Sequence, residues 1–197
     1  MTMVQHLNMT VSYDTMGASK EIRKECNFIM QNTLILTGWG WKEYSVAAAA
    51  VLRALKGAAD VRGVSKRRLP EMLEELPSSY KKVVIVGVAL GGDPERLEGA
   101  LKKLKKRNVT VSRISAFPME EELQEKLSGL IGEHVEECGL LEAVGRVLNV
   151  DVSDLAPYAV ESKRVAGAVK AFHGLVDAAM YAYRNYQEEE PYEKAIA

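Results

Sequence analysis

The sequence predicts an α/β fold: a doubly wound, mostly parallel sheet of about five strands, helices on both faces, and a long C-terminal helix. Three observations carry that expectation. Short apolar, β-branched runs alternate with segments of helical period along the chain. The run KVVIVGVAL at 82–90 is apolar on both of its alternating faces, as the centre of a parallel sheet requires. The junctions between runs are short and rich in Gly, Pro, Asp and Ser.

In chain order, 33–37 (TLILT) reads as a short buried strand that runs into Gly38-Trp39-Gly40-Trp41. An Ala-rich helix follows over 43–55, ended by Gly57. A second strand is expected at 59–64 (ADVRGV), and Ser65 caps a helix carrying Leu69, Met72, Leu73 and Leu76, which Pro77 breaks. The central strand at 82–90 turns at Gly91 and Gly92. Asp93 is the N-cap and Pro94 the first residue of a helix to about 107, with Leu97, Leu101 and Leu104 facing inward. Strands at 109–114 and 130–135, helices at 139–148 and 153–159, and a long helix at 162–187 complete the pattern. The domain division expected is 1–31 as an N-terminal extension, 32–160 as the α/β domain and 161–197 as the C-terminal helix. The extension is polar and weakly periodic. A short helix at 19–29 would put Ile22, Cys26 and Ile29 on one face, and Met30 would serve equally as a first residue.

Composition narrows the classes of function. At 47% hydrophobic and 27% charged, the 197 residues can bury a core, which excludes disorder as the main state. Twenty-six Lys and Arg against 27 Asp and Glu give a net charge of −1, which argues against direct nucleic-acid binding. Three His and two Cys argue against a zinc ribbon, a Cys-rich redox site or a disulfide scaffold. No apolar run of about 18 residues and no secretory signal is present, and Cys26 and Cys138 stand alone. A cytoplasmic protein with no membrane contact is expected.

Ligands of open parallel sheets bind outside the carboxyl ends of the strands. Three segments fall there: 38–43, 87–92 and 115–118. The candidate ligand-binding residues are Gly38, Trp39, Gly40, Trp41, Lys42, Glu43, Gly87, Gly91, Gly92, Ser115 and Phe117. A strand, a Gly-containing turn and a helix start form an anion site by geometry; Lys42 could meet phosphate and a Trp ring could stack on a base. The plainer alternative is that the glycines make the turn and the tryptophans cover the sheet edge. Gly87 inside a β-branched run calls for a close approach of ligand or chain. Gly91 and Gly92 read first as turn formers.

The frame TGWGWKEYSVAAAAVLRAL at 37–55, VVIVGVALGGDPE at 83–95, VTVSRISAFP at 109–118 and LLEAVGRVLNVDVSDLAPYA at 140–159 resembles the DHH phosphoesterase superfamily, over about 33–159. The resemblance implies an α/β domain that would hold two divalent metals, typically manganese, at strand ends and activate water on phosphorus. The ligand positions it implies fall on Gly38, Gly40 and Lys42, on Gly87, and on Ser115, Ala116 and Phe117. None offers a carboxylate or an imidazole, and Glu43 is the only carboxylate nearby. The resemblance thus implies a scaffold whose metal centre is lost, with Gly87 standing where an aspartate was. No catalytic residue, metal or cofactor is expected.

Other features read blandly. Lys102, Lys103, Lys105, Lys106 and Arg107 suit the end of a helix; Lys66, Arg67 and Arg68, near a helix start, could meet an anion or lie on the surface. His134 with Glu133, Glu136 and Glu137 lacks a second imidazole for a metal site. Cys138 near a helix start could be activated, although an inert thiol is more common. His173, Asp177, Tyr181 and Arg184 form a polar stripe on the last helix. Phe172, Val176, Ala179, Met180 and Tyr183 form an apolar face, followed by Tyr186 and Tyr192, that suggests a homodimer or docking of a further domain.

The function expected is a catalytically degenerate, DHH-like regulatory or ligand-sensing domain that binds a small phosphorylated or nucleotide-like molecule. By analogy it could be the N-terminal input domain of a bacterial sigma-54-dependent transcription regulator. Two alternatives stand beside it. One is a phosphodiesterase or phosphatase using unusual ligands such as Glu43, Asp93 and His134. The other is a structural dimerisation module working through the last helix.

Overall fold

Every strand of the sheet runs parallel to its neighbours. A computed structural model describes residues 32–38, 42–136, 138–160 and 166–186, with side chains as far as Tyr181. The strands are β1 (Thr33–Gly38), β2 (Asp60–Val64), β3 (Lys82–Val86), β4 (Thr110–Ser115) and β5 (Gly132–Val135), in spatial order β2-β1-β3-β4-β5. The chain leaves β1 toward one edge and returns to place β3 on its other side. That reversal is the switch point of a doubly wound sheet, and crevices open there at the carboxyl ends. The expected 1–31 extension with its helix, the residues Trp39, Gly40 and Trp41, Glu137, and the stretches 161–165 and 187–197 lie outside the described residues.

Period-two alternation divides the core into two layers. Leu34, Leu36, Val83, Ile85 and Val111 face one side of the sheet. There they meet Leu69 and Leu73 of α2 (Leu69–Glu74), Leu97, Leu101 and Leu104 of α3 (Pro94–Lys106), and Leu123 and Leu127 of α4 (Glu121–Leu127). Ile35, Val84, Val86 and Ile114 face the other side. They pack on α1 (Lys42–Ala54), α5 (Leu140–Leu148), α6 (Ala156–Ala159) and α7 (Gly167–Tyr186). Ala47, Ala48 and Ala50 of α1 are fully buried, and their small side chains let that helix lie close to the sheet. Each large side chain withdrawn from water in these layers contributes about 1.5–3 kcal/mol.

Local chemistry starts and stops the elements largely as the sequence predicts. Asp93 caps α3 by accepting from the Arg96 N–H at 3.0 Å, with Pro94 next. The Ser65 hydroxyl accepts from the Arg68 N–H at 3.3 Å ahead of α2. β3 is shorter than the apolar run suggests: it ends at Val86 because Gly87 turns the chain with φ +66°. The 153–159 helix is reduced to α6, since a turn occupies 153–155. The helix α4 is absent from the expectation, although Leu123 and Leu127 show its i, i+4 spacing.

Much of the apolar face of the last helix packs within the domain. Val176, Ala179 and Met180 are buried in the domain's own core, with Phe172 packed against the same layer. Two residues of the polar stripe make contacts within the domain: His173 is buried and its Nε2 bonds the Tyr158 carbonyl at 3.0 Å, while Asp177 accepts from Lys42 Nζ at 2.9 Å. No helix among the described residues is long and apolar enough to cross a membrane.

Candidate functional site

A cavity of about 490 Å³ opens at the carboxyl ends of β3 and β4. One wall is the loop after β3, from Gly87 to Gly91. A second is the loop after β4, from Ala116 to Glu120. Glu43 and Tyr44 at the start of α1, Leu140 at the start of α5, Leu123 of α4, and Arg113 and Ser115 of β4 close the rest. Its volume suits a small organic molecule.

Of the candidate residues, Glu43, Gly87, Gly91, Ser115 and Phe117 line this cavity. Gly38 lies behind it, where a Cβ would stand 2.8 Å from the Gly87 carbonyl oxygen. Gly92 is accounted for by the chain itself: a Cβ there would come within 2.4 Å of the Lys66 carbonyl oxygen. Lys42 Nζ reaches Asp177 on α7 at 2.9 Å.

Tyr44 organises the floor of the site. The Thr37 hydroxyl donates to the Tyr44 carbonyl at 3.1 Å, tying the first turn of α1 to the end of β1. The Tyr44 ring then lies over both strand-end glycines. A Cβ at Gly38 would sit 2.7 Å from Tyr44 Cδ2, and one at Gly87 would sit 2.8 Å from Tyr44 Cδ1 and 2.7 Å from Leu140 Cδ2. Gly87 is therefore required by its neighbours as well as by its positive φ. Burial, reinforced by the Glu43 charge, raises the Tyr44 phenol above its usual pKa, so the ring stays neutral.

Glu43 has a structural partner. Its Oε1 accepts from the Leu140 N–H at 2.6 Å. This carboxylate caps α5 from 97 positions away, where the N-cap residue Gly139 has no side chain to do so.

The opposite wall is built on Arg113. Its side chain is 93% buried, with 7% exposed. Nη1 donates to the Phe117 carbonyl at 3.2 Å and to the carboxylate of Glu133, its register neighbour on β5. Nη2 donates to Ser115 Oγ at 2.8 Å, and that oxygen accepts from the Phe117 N–H at 3.2 Å. Both backbone polar groups of Phe117 are thus held, while the residue is 76% exposed at the cavity rim. Burial lowers the Arg113 pKa and the Glu133 carboxylate opposes that shift. Arg113 Nε is buried without a hydrogen-bond partner.

No group of three or more His, Cys, Asp or Glu side chains placed to hold a metal occurs among the described residues. The alternative ligands are scattered: Glu43 caps α5, Asp93 caps α3, and His134 is exposed on β5. Glu133 pairs with Arg113, and Glu136 with Arg146 at 3.4 Å. Burial pushes the Cys138 thiol up, opposite to activation.

No family pattern and no curated protein matches this sequence. The site therefore rests on its own residues. Sequence reading missed Tyr44, Arg113 and Leu140. Arg113 left a trace, as a lone cation in the apolar run Val109 to Ile114. Tyr44 and Leu140 left none, because their roles depend on which strand ends meet.

Proposed function

We propose that this chain is a non-catalytic, ligand-sensing domain on a DHH-like scaffold, with the cavity beside β3 and β4 as its ligand site. One observation carries the reading. The Tyr44 ring stands in the volume that any side chain at 38 or 87 would need, while the space next to it remains open. Of the seven positions that the resemblance implies, Gly38, Gly87, Ser115, Ala116 and Phe117 lie at one sheet edge, Lys42 pairs with Asp177, and Gly40 lies outside the described residues. What meets there is an aromatic plug and a largely apolar pocket. Such a lining favours binding over hydrolysis at phosphorus. In a regulator of the bacterial sigma-54-dependent type, a domain of this kind would transmit ligand binding to an ATPase domain. The dimerisation reading draws less support from this helix, because Val176, Ala179 and Met180 of its apolar face pack within the domain.

The test is a thermal-shift screen of small metabolites on the full chain and on Ala89→Trp, which places a bulky ring at an exposed cavity position. A compound that raises the melting temperature of the parent and not of the variant supports the reading. Stoichiometric manganese binding, with phosphodiester hydrolysis lost in Glu43→Gln, would overturn it.

A further inference from the structure

Charge is distributed unevenly over the accessible wall of the cavity. Arg113, the cationic side chain on its described lining, is 7% exposed and already paired with Glu133. The carboxylates are placed differently. Glu120 is exposed, and as the N-cap residue of α4 it makes no capping hydrogen bond with its side chain. Glu43 is half-buried, with Oε1 on the Leu140 N–H, and its charge acts inside the site, where it helps raise the Tyr44 phenol pKa. Among the described residues, every charge this wall presents to a molecule in the cavity is negative.

The helix starts that reach the cavity do not reverse that sign. Glu43 stands in the first turn of α1 and also meets the start of α5, while Glu121 and Glu122 follow Glu120 in the first turn of α4. The positive ends of these helices are thus covered by carboxylates rather than offered to a ligand. An anion would enter against two carboxylates with no accessible counter-charge, and a cation would be attracted by both.

The rest of the accessible wall is apolar. Phe117, Pro118 and Ala89 are exposed, and Ala116 and Met119 are half-buried. The Phe117 backbone is fixed at N–H and C=O by Ser115 and Arg113, so less ordering entropy remains to be lost when its ring is covered. The face of that ring is the negative pole of its quadrupole and attracts cations in turn. Phe117 and Glu120 belong to the same loop, so ring and carboxylate act from one wall.

We infer that the cavity takes a small organic amine in its ammonium form, with an apolar body against Phe117 and Ala89 and its positive charge facing Glu120 and Glu43. This rests on the reading that the cavity is a ligand site. It is opposite in sign to the phosphorylated ligand that the sequence suggests.

Isothermal titration of the full chain with 2-phenylethylamine, tryptamine, 2-phenylethanol and 3-phenylpropanoate tests it. The amines should bind, the neutral alcohol about tenfold more weakly than 2-phenylethylamine, and the carboxylate not at all. Glu120→Gln, at an exposed position, should keep the melting temperature and weaken the amines about threefold while leaving the alcohol unchanged. Phe117→Ala should also weaken the amines about threefold. Raising the salt from 0.05 to 0.5 M should weaken amine binding more in the parent than in Glu120→Gln. Failure of both amines to bind, alcohol or carboxylate binding as tight as the amine, or a Glu120→Gln variant that treats amine and alcohol alike would overturn the inference. If the metabolite screen still yields another compound blocked by Ala89→Trp, the cavity reading stands and only the ligand class falls. If nothing binds, both fall.

Discussion

The plug formed by Tyr44 predicts a specific failure on replacing Gly87→Ala. Two costs add. The residue has φ +66°, and a non-glycine residue in that left-handed region costs about 1–2 kcal/mol. The new methyl would also lie 2.7 Å from Leu140 Cδ2 and 2.8 Å from Tyr44 Cδ1, inside normal contact on two sides. Overpacking of that kind costs about 1–3 kcal/mol. The sum is about 2–5 kcal/mol, a large share of a small domain's stability. With a urea slope of about 2 kcal/mol/M, the unfolding midpoint should fall by about 1–2.5 M. A double-mutant cycle with Tyr44→Ala separates the terms. Removing the ring relieves part of the overlap and leaves the backbone cost, so the pair should be more stable than additivity predicts by about 1 kcal/mol or more. Additive effects, or a Gly87→Ala cost below about 0.5 kcal/mol, would refute the claim that this ring excludes a side chain at the strand end.

Further expectations follow from neighbouring contacts. Glu43→Ala should cost about 1.5–3 kcal/mol in urea unfolding, since it removes a charged acceptor from the α5 N-terminus, and Glu43→Gln should cost about half as much. A carboxylate held in reserve for a metal would show the reverse, with removal neutral or stabilising in metal-free protein. Glu133→Gln should destabilise by about 3 kcal/mol or more by leaving Arg113 buried without its counter-charge, and should sharpen proteolysis of the 116–120 loop that Arg113 anchors. Asp154, held below the usual carboxylate pKa first by its hydrogen bond from Arg53, contributes stability that is present above the unfolded pKa of about 3.9 and lost as pH falls through the lower folded value. Thermal melts of Asp154→Asn and the parent should therefore converge as pH is lowered below about 4.

Much of the architecture was legible locally. The alternation of Leu34, Ile35 and Leu36 assigns β1 to a sheet covered on both faces, and Asp93-Pro94 marks the start of α3, because these signals depend only on neighbouring residues. Even so, the apolar run at 82–90 overstated β3, since hydrophobicity does not record the positive φ at Gly87. The apolar face of α7 was visible as a face, but its partner was not. Periodicity says that Val176, Ala179 and Met180 must be covered, and only packing shows that the domain's own core covers them.

The sequence by itself determined the five strands, most of the helices, the doubly wound class and the sheet edge that holds the candidate site. Each of these follows from period, caps and the rule of strand ends. Only the tertiary structure decided the chemistry of that edge. The order β2-β1-β3-β4-β5 sets β1 beside β3, which lets Tyr44 lie over glycines 49 positions apart (38 and 87). It brings Glu43 to the N–H of Leu140 and Glu133 to the guanidinium of Arg113. Contacts of a few ångströms between residues distant in the chain are fixed by how layers pack, and no local pattern encodes them.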